Sequence, residues 1–159
     1  MDSEYPPKTL ATTLAFCLCS EPYFGIAAVG DSFACVLTSD DDCILVDYVP
    51  RDPGHASEVN SLTTQSAENT RATLIWDPGV DAVFLSTDGL ESLVKIDRIR
   101  LAGGDGGPER VPSPDKVIGG MLRRYQETCD ANYVITNVER HQSLKGDDIG
   151  VAVAVRFSS

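Results

Sequence analysis

The chain has 159 residues and a mass of 17.1 kDa, with 42% hydrophobic and 23% charged residues, which is the profile of one globular domain large enough to bury a core. A formal charge of -11 and a pI near 4.4 speak against neutralising a phosphate backbone or an anionic membrane surface, so neither nucleic acid nor membrane is expected as a partner. The start, Met1-Asp2-Ser3-Glu4-Tyr5-Pro6-Pro7, lacks the basic and apolar regions of a secretory signal, and no apolar run approaches membrane-spanning length; a cytoplasmic protein is expected.

Residues 1–10 read as an extended tail. Short strands follow, each closed by a turn signal: Thr12 to Cys19 before Ser20-Glu21-Pro22, Tyr23 to Val29 before Gly30-Asp31-Ser32, Phe33 to Thr38 before the acidic turn Ser39 to Asp42, and Cys43 to Val49 before Pro50. This predicts a meander of antiparallel hairpins. The polar stretch Arg51 to Asn69 reads as loop, and Thr70 to Trp76 and Asp81 to Ser86 flank Asp77-Pro78-Gly79-Val80 as a further hairpin.

Beyond Asp88 the pattern changes. Gly89 to Lys95 can form a short helix, and Arg98 to Pro114, with Gly-Gly-Asp-Gly-Gly-Pro inside it, reads as a surface loop. Val117, Ile118, Met121, Leu122 and Tyr125 recur at helical spacing, with Ser113 as the expected N-cap. Asn132 to His141 is ambiguous, while Ile149 to Phe157 is a well-patterned final strand. The class is α+β, an antiparallel sheet structure flanked by helix, in a single domain over residues 1–159.

Five cysteines without a CxxC pair, Cys17, Cys19, Cys35, Cys43 and Cys129, fit neither a disulfide framework nor a zinc ribbon. Cys17 and Cys19 share one face of a strand and are expected to behave as small buried hydrophobes. His55 and His141 stand alone in polar segments and are expected to face solvent. Trp76, at a strand end, reads as core or rim packing, and Asp40-Asp41-Asp42 as a solvated hairpin tip, because it lacks the ligand alternation of a calcium loop.

Three acids share one setting. Asp31 in VGDSFA, Asp88 in STDGLES and Asp147 in KGDDIGVAV each stand where a hydrophobic strand meets a tight turn. If the strand before Asp88 pairs antiparallel with the strand after Asp147, both carboxylates reach the same sheet edge. Like charges that close need a cation between them, and hard oxygen ligands without histidine or cysteine favour Mg²⁺ or Mn²⁺ over zinc. Each aspartate alone is equally readable as a turn cap.

In order, ATTLAFCL, YFGIAAVGDSFACVL, AVFLSTDGLESLV and GDDIGVAVAV resemble the metal-dependent protein phosphatases of type 2C, from about Thr12 to Val155 and least from Lys95 to Asn137. The resemblance implies a sandwich of two antiparallel sheets with helices outside, here its C-terminal portion. It implies hydrolysis of phosphoserine and phosphothreonine in protein substrates by water held between two divalent ions, Mn²⁺ or Mg²⁺, without a phosphoenzyme. Asp88 falls on the metal ligand of the S-x-D-G motif, Asp147 on the ligand of the D-D/N motif with Asp148 beside it, and Asp31 on the G-D-S aspartate linked to an additional metal.

Two departures from the family accompany the likeness. Its N-terminal acidic residue and its Asp-Gly-x-Gly-Gly motif, which bridges the metals, find no match; Gly103-Gly104-Asp105-Gly106-Gly107 lies between the wrong elements, and Asp105 reads as a solvated turn residue. Where the family often has aspartate, four residues after Asp88, this chain has Ser92. Without the missing section, sheet edges and apolar sheet surface should be uncovered, which predicts self-association or a complementing N-terminal segment. The competing readings are a catalytically silent binding module and an architectural piece that completes another subunit.

Overall fold

Strand β1 (Leu14–Ser20) pairs antiparallel with β2 (Tyr23–Val29) as a hairpin, Leu14 opposite Val29 and Ser20 opposite Tyr23. The computed structural model describes residues 13–20, 23–48, 70–99, 109–141 and 149–156, and residues 1–10 lie outside that set. The next strand, β3 (Phe33–Thr38), does not continue the meander. The chain turns a corner at Gly30, whose φ of 103° only glycine adopts without strain, and β3 enters a second sheet.

There β3 pairs with β4 (Cys43–Asp47) on one side and with β6 (Val80–Ser86) on the other, and β9 (Val151–Val155) lies beyond β6. Strand β5 (Arg71–Trp76) returns to β2 in the first sheet. The Asp77 to Val80 turn is therefore a second corner between sheets and no hairpin, since β5 and β6 have different partners. Local turn chemistry is the same in both cases; only the partner strands differ. The acidic tip is the hairpin expected, with Asp41 at φ 68° and its carboxylate 3.3 Å from Arg123.

The sheets, ordered β1-β2-β5 and β4-β3-β6-β9, pack face to face through Phe24 and Ile26 against Ala34, Val36, Val80, Val83 and Leu85. The other face of the second sheet presents Phe33, Cys35, Leu37, Ala82 and Phe84 to Ile118, Met121 and Leu122 of α1 (Lys116–Thr128) and Val134 of α2 (Ala131–His141). The class is thus α+β with antiparallel sheets, as expected. The first sheet carries no described helix on its outer face.

A 3₁₀ helix (Asp88–Leu93), where a short helix is expected, leads into a hairpin of β7 (Val94–Ile99) with β8 (Glu109–Pro114), where the sequence predicts a loop from Arg98 to Pro114. Ser113 lies in β8, and the N-cap of α1 is Asp115, whose Oδ1 accepts from Val117 N–H at 2.9 Å. Aspartate wins the position because its other oxygen also meets Lys95 Nζ at 2.5 Å. At the opposite end of β9, Arg156 donates to the Pro78 carbonyl at 2.7 Å and lies 5.1 Å from the Phe24 ring centroid, closing the second corner.

Candidate metal-dependent site at the strand edge

Three central residues define one row across the second sheet: Phe33 of β3 opposite Ser86 of β6, and Ser86 opposite Val151 of β9. Asp31 precedes Phe33, Asp88 follows Ser86 and the segment bearing Asp147 precedes Val151, so antiparallel pairing brings all three approaches to one edge of the sheet. The pairing expected between the strand before Asp88 and the strand after Asp147 is therefore present. Asp147 and Asp148 themselves lie outside the described residues, as do His55 and Asp105.

The ladder continues past Ser86 toward this edge. Thr87 N–H donates to the Gly150 carbonyl at 3.0 Å, and Gly150 N–H returns a bond to Thr87 Oγ1 at 3.0 Å. A Cβ at position 150 would stand 3.1 Å from Thr87 Cγ2, so glycine is what lets the two strands close here. Asp88 then opens the 3₁₀ helix, which buried Leu90 and Leu93 pin to the core. This fixes where the backbone of Asp88 can be: at the end of a central strand, half-buried, with the chain turning directly beneath it.

Asp31 is held by a residue that motif reading passed over. Arg71 of β5 donates to both carboxylate oxygens of Asp47, at 2.7 and 3.2 Å, and its remaining donors reach the carbonyls of Gly30 at 2.9 Å and Ser32 at 3.3 Å. One guanidinium thus clamps both carbonyls flanking Asp31 while tying the first sheet to β4 of the second. The signal available in the sequence is faint: a single arginine opening an otherwise neutral strand.

Ser32 and Ser86 are the buried polar side chains among the described residues, each 2% exposed, and both belong to this edge. With Thr87 and Gly150 they line a cleft of about 320 Å³. Ser86 Oγ donates to the Thr87 carbonyl at 2.9 Å. Ser92, at the position where the family often has aspartate, donates to the carbonyl of His141 at 3.2 Å and so fastens the end of α2 to the 3₁₀ helix. His141 is half-buried, its Nδ1 2.8 Å from the Asn137 carbonyl, and is not the solvent-facing residue expected.

Among the described residues, no three of His, Cys, Asp and Glu come together as a metal-ligand group. Asp31 and Asp88 are the described half of the predicted set, and they are the hard oxygen donors that Mg²⁺ and Mn²⁺ prefer. The cysteines lie elsewhere and all five are free. Cys17 and Cys19 share a face with their sulfurs 3.7 Å apart, yet Cys19 is exposed, contrary to expectation; burial, then the contact with Cys19, push the Cys17 thiol up to about 12. That thiol stays protonated at neutral pH and is a poor ligand.

Comparison with known proteins finds the family that the first three of the ordered stretches resemble. The family model of protein phosphatase 2C matches residues 2–132. The chain belongs to the protein phosphatase 2C family. Two crystal structures of a bacterial serine phosphatase carrying single substitutions resemble it at 21% and 19% identity, with TM-scores of 0.49 and 0.48; the matches cover 91% and 90% of this chain and 53% and 52% of theirs. The chain spans about half the length of these solved structures. No curated protein matches it. No described helix is long and apolar enough to cross a membrane.

Proposed function

We propose that this chain forms the C-terminal portion of a single type-2C domain and contributes Asp31, Asp88, Asp147 and Asp148 to the metal-dependent hydrolysis of phosphoserine and phosphothreonine in protein substrates. The observation that carries the reading is the row Phe33, Ser86, Val151, which directs three acid-bearing segments to one edge of a rigid sheet. Family membership supports the reaction class. The single-domain reading is supported by the second sheet, whose two faces belong to the two hydrophobic clusters.

The chain's own residues do the positioning. Strand β6 leads Asp88 into a 3₁₀ helix that buried Leu90 and Leu93 pin to the core, and Arg71 immobilises the corner that carries Asp31. Mg²⁺ or Mn²⁺ held by these carboxylates would supply Lewis-acid stabilisation of the phosphoryl oxygens and acidify the attacking water. The cations would also offset the repulsion between an anionic substrate and a chain of charge -11.

The test has two readouts on the full 159-residue chain. Millimolar Mn²⁺ should raise the thermal midpoint, and the rise should vanish in Asp88→Asn and in Asp31→Asn. Turnover of an aryl phosphate should require Mn²⁺ and fall at least about a hundredfold in Asp88→Asn. A midpoint indifferent to Mn²⁺ overturns the metal site. Metal binding without turnover favours the second reading, a silent binding module.

A further inference from the structure

The β3–β4 hairpin and helix α1 enclose a pair of thiols that the proposed metal site does not use. Cys35 of β3 lies opposite Leu45, and Cys43 of β4 opposite Leu37, so the two cysteines are diagonal neighbours on the face of the second sheet that α1 covers. Cys35 is fully buried, while Cys43, at the start of β4, is half-buried. Their side chains meet, the Cys35 S–H donating to the Cys43 sulfur.

A cation stands over Cys43. A Cβ at Gly119 of α1 would lie 3.1 Å from Arg123 Nη2 and 3.3 Å from Cys43 Cβ, so the bare glycine is what lets the guanidinium and the cysteine share that gap. Arg123 is fixed from both sides. Its Nε donates to the Gly119 carbonyl at 3.4 Å, its Nη2 to the Asp41 carbonyl at 3.4 Å, and its Nη1 lies 3.3 Å from the Asp41 carboxylate at the hairpin tip. A thiol that accepts a hydrogen bond beside a fixed cation ionises more readily than a free one. The bond from Cys35 draws Cys43 below its ordinary value of 9.0, burial opposes this, and the Arg123 charge adds to it; the same bond, then burial, push Cys35 up.

We propose that Cys43 is a reactive thiol that hydroperoxides oxidise, with Cys35 beneath it as the resolving partner. The Cys43 thiolate attacks one oxygen of hydrogen peroxide and the O–O bond breaks. A sulfenic acid forms on Cys43, and the other oxygen leaves as hydroxide, which takes up the proton that Cys43 released and becomes water. The Cys35 thiol then attacks the sulfenic sulfur and gives its proton to the departing oxygen; the S–O bond breaks, a Cys35–Cys43 disulfide forms and a second water leaves. Two thiols are oxidised to one disulfide while one peroxide is reduced to two waters. Diagonal neighbours stand at the long end of disulfide geometry, so closing the bond draws β3 and β4 together and leaves a strained disulfide that small thiols reopen.

The reduced 159-residue chain, treated with a small excess of hydrogen peroxide without added metal and then blocked with N-ethylmaleimide, should yield a peptide pair linked through Cys35 and Cys43. This product should appear before any oxidation at Cys19 or Cys129, although those two are the exposed cysteines, and dithiothreitol should reverse it. Cys35→Ala should halt the reaction at a Cys43 sulfenic acid that dimedone traps, and Cys43→Ala should leave Cys35 reduced.

Arg123→Gln, a change at a residue 40% in water, keeps both thiols and should slow the linkage at least about threefold with circular dichroism unchanged. Asp41→Asn breaks the same tie to the hairpin tip but keeps the cation, and asparagine tolerates the φ of 68°, so it should not slow the linkage. Oxidation that reaches Cys19 or Cys129 first overturns the proposal. So does a Cys43 sulfenic acid that persists in the wild-type chain beside reduced Cys35, an Arg123→Gln rate equal to wild type, or an Asp41→Asn rate that falls as far as that of Arg123→Gln.

Discussion

The two sheets of this protein are made of similar residues and treated differently by the fold. In the second sheet, β3 and β6 are buried along nearly their whole length, with the other sheet on one side and α1 and α2 on the other. In the first, alternate residues of β1 and β5 are at most half-buried, and the ones left outside are still Leu, Phe and Trp. An apolar residue on a strand records that the position suits a cover; it does not say whether the cover lies in the same chain. The bare sheet and the covered sheet thus diverge in their surroundings more than in their composition.

The sharpest way to separate them is to truncate one side chain from each. Phe84, 0% exposed at the centre of the covered sheet, should cost about 3–5 kcal/mol as Phe84→Ala. Leu74→Ala in the bare sheet should cost under about 0.5 kcal/mol when urea unfolding is followed on dilute monomer. Equal costs would mean that the outer face is covered within the monomer, and the contrast would collapse.

Arg71 joins the two regions, which makes it the next test. Arg71→Ala leaves the Asp47 carboxylate, 9% exposed, without its bidentate partner, and frees the carbonyls of Gly30 and Ser32. Because Arg71 is itself about a quarter in water, a loss of about 2 kcal/mol is expected, below the figure for a fully buried pair. Arg71→Lys should recover little of it, since an ammonium cannot span both oxygens and both carbonyls. The Mn²⁺-induced rise in thermal midpoint should shrink in both variants, which a purely structural arginine would not cause.

The smallest effect belongs to the cap of the covering layer. The hydrogen bond from Lys95 and then the Val117 backbone N–H hold the Asp115 carboxyl below its usual value of 3.8. A carboxyl whose folded pKa is depressed stabilises the fold above the unfolded value, and that contribution is lost as pH falls through the folded one. Asp115→Asn keeps an N-cap but not the charge. It should cost under about 1 kcal/mol at neutral pH, since Lys95 is mostly in water, with the gap to wild type closing as pH falls through the lowered folded pKa of Asp115. A gap that persists in acid would show that packing, and not the ion pair, sets the role of this residue.

Part of the strand edge was legible one residue at a time. The strand-turn settings of Asp31 and Asp88 are local features, whereas the fit of Gly150 against Thr87 joins two strands far apart in the chain and was not read from the sequence. What could not be read was the clamp at Arg71, because its partners Gly30, Ser32 and Asp47 come from other strands. Nor could the N-cap be placed, since choosing Asp115 over Ser113 depends on Lys95 arriving from β7.

By itself the sequence determined the α+β class, the existence of most strands, the amphipathic α1 and the order of the family motifs. These depend on side-chain period and turn chemistry, which act over a few residues. Only the tertiary structure decided that the turns at Gly30 and Asp77 are corners between sheets, and that α1 and α2 both settle on the second sheet, so that no described helix covers the outer face of the first. Those outcomes depend on which strands find each other across the chain, and a turn looks the same from within whether its arms pair together or part.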